Sequence, residues 1–111
     1  MLIERKEILN EDQSIGYIEA IFNSDNVMQT TYFPNSQRLY IAFNRGTIYS
    51  YGNISKEFYD EFESTQSQGK FFQAKINKNK AFPYRKEYSL LPYEIQKIKN
   101  IIEENKIDED E

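Results

Sequence analysis

The chain has no cysteine, no histidine and no tryptophan, and only three prolines and four glycines in 111 residues. Without cysteine there is no disulfide and no thiol nucleophile. Without histidine there is no imidazole base, and lacking both excludes a Cys/His zinc site. Any metal would have to be held by carboxylates. No apolar run reaches membrane-spanning length, and the first residues lack the apolar stretch of a secretory leader. The expectation is a soluble, cytoplasmic protein with no membrane partner, in keeping with the absent cysteines. Phosphate-loop, dinucleotide-binding and nucleophile-elbow patterns are also missing. Carboxylate pairs such as Asp60 with Glu63, or Glu57 with Glu61, fall on the outer face of a predicted helix, where burial does not tune them. These absences point to a protein that is not an enzyme and uses no cofactor.

What the chain does have is rings: eight phenylalanines and nine tyrosines. Aromatic side chains bury large areas, so a small core can be built from few of them. At this length one compact domain is expected, over residues 1–107, followed by an acidic tail at 108–111.

The most informative stretch is 38–54. Two runs rich in β-branched and aromatic residues flank Asn44, Arg45 and Gly46. This is a hairpin pattern, with Phe43 opening a type I turn and Gly46 in the left-handed bulge position. That register sets Ile41 opposite Tyr49 and Leu39 opposite Tyr51, so Leu39, Ile41, Phe43, Tyr49 and Tyr51 share the face that meets the core. Tyr40 and Ser50 fall on the other face, which makes Tyr40 the ring expected to be exposed.

Before the hairpin, residues 2–9, 16–22 and 27–33 read as strands separated by polar turns. In the second of these, Ile18, Ala20 and Phe22 alternate with Tyr17, Glu19 and Ile21. After it the period becomes helical. Ser55 suits an N-cap, Ile54 and Tyr59 are spaced as a hydrophobic staple, and Gly69 suits a terminator, which predicts a helix over 55–68. Its stripe is Phe58, Tyr59 and Phe62; Glu57, Asp60, Glu61 and Glu63 are expected to face water. Residues 70–76 suit a second short helix and 77–86 a loop. A last helix begins near Pro92, carries Ile95, Ile98, Ile101 and Ile102 at helical spacing, and is expected to stop before Ile107. The fold class is therefore α+β: a small antiparallel meander or barrel of four to five strands, one packed helix and an added C-terminal helix.

The stretch 27–84 resembles the KTSC domain family. The likeness runs through Tyr32, then Leu39-x-Ile41-x-Phe43-x-x-Gly46, then Tyr49-Ser50-Tyr51. It continues to Ser67-Gln68-Gly69-Lys70-Phe71-Phe72 and Ile76. The family occurs in bacterial and phage proteins and at the C-terminus of some lysyl-tRNA synthetases. RNA binding has been suggested for it, so the resemblance implies the fold first and an RNA-binding role second. On it, the N-terminal strands and the C-terminal helix are additions.

Charge is unevenly distributed. The net charge is −4, which argues against broad affinity for nucleic acid. Yet residues 64–86 contain no Asp or Glu, and carry Lys70, Lys75, Lys78, Lys80, Arg85 and Lys86 among Phe71, Phe72, Phe82 and Tyr84. Cations neutralise phosphate and rings stack on bases. A backbone N–H near Gly69 would also suit a phosphate if a helix began at Lys70. Charge runs are more often solvated faces, so the same lysines suit a loop that offsets the acids; Phe71 and Phe72 are expected to serve the core, as are Tyr49 and Tyr51 ahead of stacking on bases.

The leading expectation is thus a non-catalytic binding module for a phosphate-bearing ligand, RNA or a small nucleotide, with sequestration of a nucleotide signal as one use. Its contact residues would be Lys70, Lys75, Lys78, Lys80, Tyr84 and Arg85, with Arg45 as an outside contributor. The alternative is a protein-interaction or inhibitor module of phage or mobile-element type. It would dock its acidic helix face and tail on a basic host protein. The isoleucine stripe of the last helix leaves both a monomer and a homodimer open.

Overall fold

A computed structural model describes the backbone of residues 1–109 and the side chains of residues 1–105. Six strands form one antiparallel sheet in chain order: β1 (Leu2–Leu9), β2 (Ile15–Phe22), β3 (Val27–Phe33), β4 (Arg38–Phe43), β5 (Thr47–Tyr51) and β6 (Tyr84–Ser89). The sheet is an open meander, not a barrel, and has one strand more than the sequence pattern predicts. The additional strand lies within and beyond the predicted loop at 77–86. Its sequence, Tyr-Arg-Lys-Glu-Tyr-Ser, is an edge pattern: charged and largely exposed, with no apolar alternation to reveal it.

The central hairpin follows its predicted register. Leu39 pairs with Tyr51, Ile41 with Tyr49 and Tyr40 with Ser50. Gly46 closes the turn at φ +96°, its N–H donating to the Phe43 carbonyl at 2.7 Å. That backbone conformation is strained for any residue with a Cβ. The Gly46 carbonyl in turn accepts the Leu90 N–H at 2.8 Å, which ties the hairpin tip to the approach of the last helix.

Alternation along the strands supplies two cores, one per face. On the first face Ile18, Ala20, Phe22, Val27, Tyr32, Leu39, Ile41 and Tyr51 meet Ile54, Tyr59, Phe62, Phe72 and Ile76 from the helical segment. On the second, Ile21, Met28, Ala42 and Ile48 meet Ile98 of the last helix, with Ile95, Ile101 and Ile102 packed alongside. The isoleucine stripe therefore lies on the chain's own sheet.

The first helix, α1 (Lys56–Ser64), starts as expected: the Ser55 hydroxyl accepts the Phe58 N–H at 3.1 Å, and Ile54 and Tyr59 are both fully buried. It ends four residues early. Gln68 is buried and its amide donates to the carbonyls of Phe62, Glu63 and Thr65, closing the C-terminus of α1 with a side chain instead of a glycine. Ser67 then caps α2 (Gln68–Phe71), so Gly69 lies inside a helix and terminates none. The Gly69 N–H is committed to the Ser24 hydroxyl at 3.0 Å and is not free for a phosphate. A π-helical turn, Phe72–Ile76, follows and directs both of its end residues into the core.

One acidic residue departs from the predicted water face of α1. Glu57, Asp60 and Glu61 are exposed, but the Glu63 side chain keeps only 14% of its surface and accepts from Arg5 Nε of β1 at 2.6 Å. The last helix, α3 (Pro92–Glu109), continues past Ile107 and takes in the first two positions of the predicted acidic tail. Residues 110 and 111 lie outside the described residues. Among the described residues, no helix is long and apolar enough to cross a membrane.

Candidate functional site

On the first face, where the hairpin meets β6 and the π-helical turn, five rings enclose a cleft of about 350 Å³. Phe43, Tyr49 and Tyr51 come from the hairpin, Tyr84 from the start of β6 and Phe72 from the π-helical turn. Phe72 stands edge-on to Phe43 (5.0 Å between centroids) and to Tyr51 (5.5 Å) and forms the floor. Tyr84 leans over Tyr49 and Tyr51 at 6.1 and 6.4 Å and remains 68% exposed. A ring of this kind, anchored on one side and open on the other, is suited to stacking on a planar ligand.

The opposite lip is polar. Gln73, Asn77 and Lys78 line it, and the Asn77 amide donates to Gln73 Oε1 at 2.8 Å. Lys78 has φ +60°, a left-handed conformation that is uncommon for a lysine. Such strain is often concentrated at binding sites. Lys78 makes no ion pair among the described residues. Burial raises the Tyr51 phenol well above its usual range, with Tyr49 and Tyr84 adding to the shift. Tyr51 therefore stays protonated and can donate a hydrogen bond at any physiological pH.

The cationic segment does not stay together. Of the residues expected to contact a ligand, Lys78 and Tyr84 line this cleft. Lys75 is drawn to α1, its ammonium 5.0 Å above the Phe71 ring and 4.0 Å from Glu61. Lys70 borders a separate shallow depression with Asp25 and Asn26, and Lys80 lies exposed in the loop before β6. Arg45 is at the exposed hairpin tip.

Arg85 is on the other face of the sheet, opposite Ser50, and its Nε donates to Glu87 at 2.8 Å. The reason is strand alternation: once Tyr84 points to the cleft, Arg85 points away. The rings that build the cleft walls, Phe43, Tyr49 and Tyr51, were expected to serve the core before any ligand. Tyr51 and Phe72 do so while also facing the cleft. Among the described residues no group of three or more acidic side chains is placed to hold a metal ion.

Glu87 organises the far side of the same two strands. It accepts from the buried Ser50 hydroxyl at 2.6 Å, and Ser50 in turn accepts from Arg38 at 3.0 Å. The Ser50 hydrogen bond and then the Arg85 pair hold the Glu87 carboxyl below its usual range. A depressed folded-state pKa stabilises the fold above the unfolded carboxylate value, and that contribution is lost as pH falls through the folded value. Thermal melts stepped downward from neutral pH are therefore expected to show Tm falling below about pH 4, with a shallower fall in Glu87→Gln. Parallel acid limbs in the two proteins would mean that other carboxylates carry the effect.

The sequence profile of the KTSC domain family matches residues 23–82, which is more than half of the chain. That span runs from the turn before β3 to the loop before β6 and holds every cleft residue except Tyr84. No curated protein matches the sequence. Among solved structures, the crystal structure of a KTSC domain protein from Yersinia pestis superposes with a TM-score of 0.58 at 26% identity. The match covers 62% of this chain and 94% of that one.

Proposed function

The chain belongs to the KTSC domain family, and on that footing we propose that it is a non-catalytic binding module, acting in the cytoplasm, whose ligand is a phosphate-bearing nucleotide unit. The unit is either a free nucleotide or one residue of a single-stranded RNA. The observation that carries this reading is the ring-lined cleft with Lys78 at its lip. A base would stack against Tyr84 and Tyr49, Tyr51 and the Asn77–Gln73 amides would supply hydrogen bonds, and Lys78 would neutralise the phosphate. The cleft volume is at the small end for ligand sites, enough for one base with its sugar and not for a run of bases. The other lysines of the segment contribute a long-range field, not contacts. A protein that holds one nucleotide in this way could sequester a nucleotide signal.

The test is a calorimetric titration of the full chain with mono-, di- and cyclic nucleotides and with short single-stranded RNA, at low and moderate salt. The expected result is saturable binding that weakens with salt, because a lysine–phosphate contact is screened. No heat at low salt with any of these ligands at millimolar concentration would overturn the reading.

A further inference from the structure

The second face of the sheet carries a trough of opposite polarity. Two depressions, of about 470 and 370 Å³, share Glu19, Gln29, Leu90 and Glu94 and so form one channel between the strands and the start of α3. One end is walled by Phe33, Tyr40 and Tyr88, with Glu19 and Glu94 at the rim and no lysine or arginine among its lining residues. Phe33 and Tyr40 meet edge to face at 5.6 Å. The other end has an apolar floor of Ile21, Ile98 and Ile101, flanked by Glu4, Lys6 and Lys97.

Glu19 is half-buried, yet it makes no ion pair or hydrogen bond among the described residues. Lys6 is opposite it on β1 but stays beyond ion-pair distance. Glu94 uses one oxygen to accept the Leu91 N–H at 2.9 Å and keeps the other unpaired among the described residues. Arg85 is held by Glu87 and reaches the Tyr40 hydroxyl from outside the channel, whose ring end it does not line. Two of the six large exposed apolar residues among the described residues, Tyr88 (60%) and Tyr93 (69%), line this channel. Exposed rings along an apolar-floored groove suit a contact surface.

We infer that this channel is a docking groove for a basic, extended segment of a protein partner, with an arginine or lysine seated between Phe33, Tyr40 and Tyr88 under Glu19 and Glu94 and an apolar side chain on the Ile21–Ile98 floor. Rings with carboxylates at the rim, at an end that no lysine or arginine lines, are the chemistry that recognises a guanidinium or ammonium. The same carboxylates repel phosphate, so the groove does not duplicate the cleft on the first face. They also repel the acidic residues at 108–111 of this chain. The continuity from charged cage to apolar floor calls for a segment of chain, not an isolated cation.

The probe is a short acetylated and amidated peptide that alternates arginine with leucine, titrated into the isotope-labelled full chain and followed by amide NMR shifts. Shifts confined to the neighbourhoods of Glu19, Phe33, Tyr40, Tyr88 and Glu94 are expected. Affinity should weaken about tenfold when citrulline replaces arginine, and by a similar factor in a Glu19→Gln, Glu94→Gln double variant. Glutamine at position 94 still accepts the Leu91 N–H, so the variant should keep its fold. Tyr88→Ala, on the edge strand, tests the ring wall separately and should weaken binding without disturbing the Lys78 cleft. Equal binding of the citrulline peptide, shifts that map instead to Glu57, Asp60 and Glu61 on α1, or no shifts at millimolar peptide would each overturn the inference. So would the same resonances moving on simple dilution of the chain, which would assign the groove to a second copy.

Discussion

Replacing Tyr59 with alanine is expected to cost about 3–5 kcal/mol of folding stability, a large share of the roughly 5–15 kcal/mol available to a domain of this size. Tyr59 is fully buried where α1 meets the sheet. Its ring lies parallel to that of Tyr32, centroids 4.4 Å apart and planes within 2°, and contacts Phe62 at 6.3 Å. Tyr32 is itself pinned by its hydroxyl, which donates to the Ile54 carbonyl at 2.6 Å, at the start of the helix that carries Tyr59. Removing the Tyr59 ring leaves a cavity between two rigid elements that cannot collapse independently.

The hydroxyl of Tyr59 is a different matter. It lies between the Thr30 hydroxyl and the Glu63 carboxylate, and its pKa is pushed up by burial first and then by Glu63. None of the three groups reaches an aligned hydrogen bond with another: Thr30 Oγ1, Tyr59 OH and Glu63 Oε2 are all buried without a partner. Tyr59→Phe removes one of these atoms without removing the ring, and so should change stability by less than about 1 kcal/mol. Urea unfolding of the two variants separates ring from hydroxyl. If phenylalanine costs as much as alanine, the polar cluster holds the layers together and the stacking does not.

The second large effect is on binding. Tyr84→Ala is expected to weaken nucleotide binding by about 1–3 kcal/mol, the range measured when a base-stacking ring is removed, without lowering Tm appreciably. Tyr84 is 68% exposed at the end of an edge strand, so little packing is lost with it. Lys78→Ala should weaken binding and also flatten its salt dependence, because the screened contact is gone. The comparison with Arg85→Ala is decisive. Arg85 is adjacent in sequence to Tyr84, but it faces the opposite side and is engaged by Glu87. Removing it should leave nucleotide affinity within about twofold of the parent, the change expected of a remote surface charge. Loss of affinity in Arg85→Ala equal to that in Tyr84→Ala would place the ligand elsewhere than in this cleft.

Each substitution in that set separates sequence proximity from spatial proximity, and the cationic segment is where the two diverge. Read as a string, Lys70, Lys75, Lys78, Lys80 and Arg85 form one basic stretch. Folded, the stretch passes through a helix, a π-helical turn, a loop and a strand, each of which rotates its side chains to a new direction. Lys75 is taken up by Phe71 and Glu61, Arg85 by Glu87, and only Lys78 and Tyr84 arrive at the cleft. Spacing along a chain reports direction only while one period persists.

The acidic face of α1 shows the same limit. Its outward residues are partly neutralised in place: Lys56 pairs with Asp60 at 2.7 Å, and Glu63 turns inward to Arg5, 58 residues away. A helical wheel places Glu63 correctly on the wheel, but it does not show that β1 comes alongside.

Local chemistry alone determined the hairpin, its register and its turn glycine, the strand alternation that separates Ile18, Ala20 and Phe22 from Ile21, and the start of α1 at Ser55. In each case the cause lies within a few residues, in steric limits on φ, the two-residue period of a strand or the reach of a capping hydroxyl. The residues that carry the family likeness were also legible, since they form these same local devices. The tertiary structure decided the rest: the sixth strand, the early end of α1 under Gln68, the second core beneath α3, and the meeting of Tyr84 with Lys78 across a cleft. Those features depend on which distant segments come to share a face. An exposed charged edge, a buried glutamine and a ring half in the core carry no periodic signal that would reveal their partners in advance.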